Sequence, residues 1–132
     1  MTSGECREND ESSKAPKPHP LDLEERTAKC GEAVIRFAKG VSHDAVGAPL
    51  ISQFVRAATS VGASYCEADD AGLRKEFRHK ISICRKEARD TKHWLRMLVA
   101  FDGRLREQAK PLWQEEKELN LIFSAIFRNT QC

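Results

Sequence analysis

The chain has 132 residues, 40% of them apolar and 32% charged, with a formal net charge of +2. That length suits one domain with a real core, and so small a net charge gives no whole-chain case for a nucleic-acid partner. No apolar run is long enough for a membrane span. Residues 1–20 lack the apolar stretch of a secretory signal, so a cytoplasmic protein is expected.

Residues 1–20 are rich in Glu, Ser, Lys and Pro and carry almost nothing to bury. They read as a disordered tail, with the folded domain over residues 21–132. The first helix is expected over Leu23–Lys39. Asp22 and Glu25 have the spacing of a capping box. Leu23, Thr27, Cys30, Val34 and Phe37 step by four and three, which puts them on one face. Gly40 ends that helix, and residues 41–47 read as a loop. The second helix is expected over Pro49–Ala68, with proline in the first turn. Its stripe is Ile51, Phe54, Val55, Ala58, Val61, Gly62 and Tyr65. Small residues are dense here, which allows a neighbouring helix to approach closely.

The third helix is expected over Leu73–Phe101. Phe77, Ile81, Cys84, Ala88, Thr91, Leu95 and Leu98 keep the rhythm without a slip, and Trp94 widens the stripe. Asp102-Gly103 breaks it, and residues 104–109 suit a short helical turn. The fourth helix is expected over Pro111–Arg128, with Leu112, Glu116, Leu119, Phe123 and Ile126 facing inward, joined by Trp113 and Ile122. Pro111 either opens this helix or kinks a longer one. No segment alternates with period two. Four amphipathic segments with short connections predict an all-α protein, an antiparallel up-down-up-down four-helix bundle.

The third helix carries the one charge anomaly. Nine Lys and Arg lie between Arg74 and Arg96, against the acids Glu76, Glu87 and Asp90. Arg78, Arg85, Arg89, Lys92 and Arg96 fall on one continuous strip. Clustered cations on a helix face are the electrostatic footprint of phosphate binding. The competing reading is ordinary pairing with the acidic neighbours, since the fourth helix holds Glu115, Glu116 and Glu118 and the first holds Glu24, Glu25 and Glu32.

A search for chemistry finds little. Cys6, Cys30, Cys66, Cys84 and Cys132 are scattered, with no close pair of the kind zinc needs. They read as reduced thiols, and Cys30 and Cys84 as small core hydrophobes. His79 and His93 share a face but stand about 21 Å apart at 1.5 Å per residue, too far for one metal. Glu67, Asp69 and Asp70 cluster near a turn, where carboxylates are common in any case. No enzyme, metal or cofactor is expected. Arg56, Ser60, Glu67, Glu87 and Glu116 lie beside or within core-facing positions. A buried charge must be paired, so an Arg–Glu pair is expected at a helix–helix or subunit interface.

Three segments carry a resemblance. Residues 49–68, from Pro49-Leu50-Ile51 to Glu67-Ala68, resemble the second helix of the bundle proteins encoded in bacterial 23S ribosomal RNA intervening sequences. Phe77-Arg78-His79-Lys80-Ile81 with Cys84-Arg85-Lys86-Glu87-Ala88 resembles the third helix of that family. Glu118-Leu119-Asn120-Leu121-Ile122-Phe123 resembles its closing helix. Ser64 departs from the Asn that many relatives carry. The resemblance spans residues 21–128. It implies a ring-shaped homopentamer. It also implies kinship with accessory proteins of diversity-generating retroelements, which interact with RNA and a reverse transcriptase. RNA and a reverse transcriptase are thus expected partners. The alternative is a protein scaffold with no nucleic-acid role.

Overall fold

The computed structural model describes residues 22–131. Among them are four α-helices, a single 3-10 turn and no strand. Helix α1 is Leu23–Lys39, α2 is Gly47–Asp69, α3 is Arg74–Phe101 and α4 is Arg106–Asn129. The expected tail lies outside the described residues.

The helix starts follow from local chemistry. Asp22 adopts the left-handed conformation, with φ of 42°, which Asp tolerates better than most residues. Its carboxylate accepts the Glu25 N–H at 3.3 Å, so the expected cap forms. Helix α2 begins two residues earlier than the proline suggests. The Asp44 carboxylate accepts from Val46 N and Gly47 N at 3.0 and 2.8 Å and satisfies two otherwise free donors there. Pro49 is then the third helical residue, where a missing N–H costs nothing. Residues 103–105 form the 3-10 turn. Helix α4 starts at Arg106 and runs through Pro111. Of the two roles open to Pro111, the structure therefore places it inside one longer helix. The missing N–H at Pro111 leaves the Glu107 carbonyl without its helical donor, and Glu107 is exposed to water.

Helix α3 has the most neighbours and packs chiefly on α2 and α4. Arg78, near its start, meets Phe127, near the end of α4, and Lys92 meets Trp113 nearer the start of α4. Two apolar clusters make the core. One holds Val34, Phe37, Phe54, Leu95, Leu98 and Leu112, and the other Leu23, Val61, Ile81, Cys84, Leu119 and Phe123. Buried Thr91 and Glu116 fall between the clusters along α3 and α4.

The small residues of α2 serve packing within the chain. Ala57, Ala58 and Ser64 are buried. A Cβ on Gly62 would lie 3.2 Å from Thr27 Oγ1 of α1. Gly47 is tighter still. A Cβ there would collide with the Ser42 carbonyl oxygen and come within 2.9 Å of the Phe101 ring. Gly47→Ala is therefore expected to cost about 1–3 kcal/mol in denaturant unfolding, as overpacking does. An unchanged midpoint would contradict this packing.

Candidate nucleic-acid interface

The five cations of the strip divide by environment. Arg78 and Arg85 both stack on the Phe127 ring, at 3.6 and 4.2 Å from its centroid. Arg78 Nε also donates to the Phe127 carbonyl at 3.2 Å, and Asn120 Nδ2 donates to the Arg85 carbonyl at 2.8 Å. These contacts hold that end of α3 against α4. Lys92 lies 5.2 Å from the Trp113 ring. Arg89 and Arg96 are exposed. Among the described residues, Arg89, Lys92 and Arg96 make no ion pair.

The acids of α4 are engaged elsewhere. Arg26 of α1 forks onto Glu115, with Nε–Oε2 at 2.7 Å and Nη2–Oε1 at 2.9 Å, and also reaches Glu118 Oε1 at 2.7 Å. The hydrogen bond to Glu115 is the main force holding the guanidinium in its charged form. Such two-pronged pairs are the strong ones. Arg26 is the helix–helix partner that the sequence did not single out, because it sits between stripe positions and its partners are about ninety residues away. On α3, Lys80 pairs with Glu67 at 2.7 Å, and Lys86 with Asp90 at 3.0 Å. The pairing reading thus holds for parts of α3 but not for the segment from Arg89 to Arg96.

The polar residues expected near the core separate cleanly. Glu87 and Glu116 are buried. Ser60 is half-buried, and Arg56 and Glu67 are exposed, contrary to the expectation for those two. The reason is the rotation of α2, which turns Ala57, Ala58, Val61, Ser64 and Ala68 inward. Arg56 still reaches across to α3, with Nη1 at 3.5 Å from Glu87 Oε2. The other Glu87 oxygen is buried without a hydrogen-bond partner. Trp113, expected to join the core stripe of α4, is 41% exposed instead. It lies a full 100° around the helix from Leu112, and Leu112, Glu116 and Leu119 take the inward face.

Glu116 is only 1% exposed. Its Oε2 accepts from Cys30 Sγ at 3.1 Å, and its Oε1 has no partner. Burial pushes its pKa up to about 7, with the Cys30 hydrogen bond and Lys92 opposing and Glu115 adding. Burial likewise raises the Cys30 thiol far above its usual range and the Cys84 thiol to about 12. Both are therefore protonated and poor nucleophiles at neutral pH. Cys66 is exposed, and Cys6 and Cys132 lie outside the described residues. Among the described residues no three His, Cys, Asp or Glu side chains converge as a metal set, and no helix is long and apolar enough to cross a membrane.

No curated protein matches the chain. A crystal structure of a protein of unknown function from the S23 ribosomal protein family of Bacteroides thetaiotaomicron VPI-5482 superimposes with a TM-score of 0.73 at 26% identity, over 80% of this chain and 97% of that one. The family model described as 23S rRNA-intervening sequence protein matches residues 21–125. The chain therefore belongs to the 23S rRNA-intervening sequence protein family.

Proposed function

We propose that this chain is a non-catalytic, oligomeric bundle that holds the phosphates of a structured RNA on α3. In this reading the four helices run antiparallel, up-down-up-down, and five copies close into a ring. One observation carries the RNA reading. The acids that would neutralise α3 are committed to Arg26, and Arg89, Lys92 and Arg96 remain without acidic partners among the described residues. Free cations one turn apart on a helix suit a phosphate backbone. The choice of RNA over DNA follows the resemblance to retroelement accessory proteins. Phosphate contacts do not read bases, so recognition is led by shape.

Assembly is supported by the same resemblance and by Glu87. Its unpaired buried oxygen sits beside the half-exposed Arg56 guanidinium, an arrangement that a neighbouring copy would complete. A ring repeats the basic face and adds avidity without new contacts. Light scattering at micromolar concentration is expected to give five subunits, and a monomer mass would contradict the ring. Titration of a structured RNA is expected to show binding that weakens steeply with salt. No binding at low salt would leave a protein scaffold as the reading.

A further inference from the structure

Trp113 is a large apolar side chain left 41% exposed on α4. Its ring is not in an apolar patch. Lys92 Nζ of α3 lies 5.2 Å from the ring centroid, and Lys117 Nζ, one turn further along α4, lies 5.6 Å from it. Both distances are within the range in which an ammonium is attracted to an indole. Charged residues are depleted at the cores of protein interfaces, so a ring bracketed by two lysines is poorly suited to a protein partner. An aromatic face flanked by cations is the arrangement that binds single-stranded nucleic acid, where the ring takes a base and the cations take phosphates.

We propose that Trp113 is a stacking platform for an unpaired nucleobase, with Lys92 and Lys117 holding the phosphates beside it. Lys117 is exposed and can swing from the indole to a phosphate. Arg89 and Arg96 lie on the Lys92 strip, about 4.5 and 6 Å along the α3 axis from it, and continue the contact to the adjoining backbone. The RNA segment at this site is then a loop, bulge or end, because a base within a duplex is not available to stack. This rests on the RNA reading above and narrows it to RNA with unpaired bases.

The test uses the full chain and two RNAs of equal charge, a hairpin with an unpaired loop and a fully paired duplex. The wild type is expected to prefer the hairpin. Trp113→Ala is expected to weaken hairpin binding about 5- to 100-fold, with little change for the duplex. Trp113→Phe keeps a stacking face and is expected to restore most of the loss. Trp94 and Trp113 are the only two tryptophans, so a Trp94→Phe background reports on Trp113 alone, and the hairpin should quench its emission. Equal affinity for the two RNAs, or a Trp113→Ala variant that binds both as the wild type does, overturns the platform and leaves the phosphate reading standing. A smaller assembly mass in Trp113→Ala assigns the ring to a subunit contact and also overturns it. Failure of the wild type to bind either RNA overturns both readings.

Discussion

Glu116→Leu is expected to gain stability relative to the parent as pH rises, by about 2–4 kcal/mol between pH 4.5 and pH 8. The argument starts from burial. Glu116 lies between the two apolar clusters, and one of its oxygens has no partner. Its folded-state pKa is about 7, against an ordinary value of 4.5. Between those two values the folded state binds the proton that the unfolded state has released. Stability from this group is therefore lost as pH rises from 4.5 to 7 and is level above that. Leu has no proton to lose and fits the same α4 stripe. Glu116→Gln keeps the shape and removes the titration, so it should also flatten the curve. Urea unfolding of the three proteins across this pH range checks it. Parallel curves for the parent and Glu116→Gln would show that Glu116 does not titrate there.

The sequence made much of this layer legible, and the failures have physical causes. The stripes of α1 and α3 are buried as their spacing implied, from Leu23 through Phe37 and from Ile81 through Leu98. Glu116 was legible as a core carboxylate because it keeps the rhythm between Leu112 and Leu119. Its partner Cys30 was not, because the pair joins residues 86 apart and depends on which helices are neighbours. The same is true of Arg26 with Glu115. Trp113 was misplaced because hydrophobicity alone assigned it inward, while its angle on α4 turns it toward solvent. Arg56 was misplaced by a small error in the rotation of α2, where the Ala-rich surface gives several nearly equivalent apolar faces. The basic strip was legible as a strip. Whether acids neutralise it was a question of tertiary pairing, which periodicity does not contain.

The second large effect concerns that strip. Replacing Arg89, Lys92 and Arg96 together with Gln is expected to weaken structured-RNA binding and to make it markedly less sensitive to salt. The three are chosen because they make no ion pair among the described residues, so their loss breaks no bond within the fold. Arg78 and Arg85 are left in place because they stack on Phe127 and hold α3 to α4. Each lost phosphate contact removes about 0.7–0.9 from the slope of log affinity against log salt. Three contacts per site should therefore lower the slope by about 2–3. Thermal unfolding and assembly mass should be unchanged, since exposed charges contribute little to stability. The direct measurement is RNA affinity of the wild type and the triple variant across a salt series, both in the same intact assembly. A slope lower by about 2–3, with affinity lost mainly at low salt, is the predicted result. Equal affinities and equal slopes would show that α3 does not touch the phosphates.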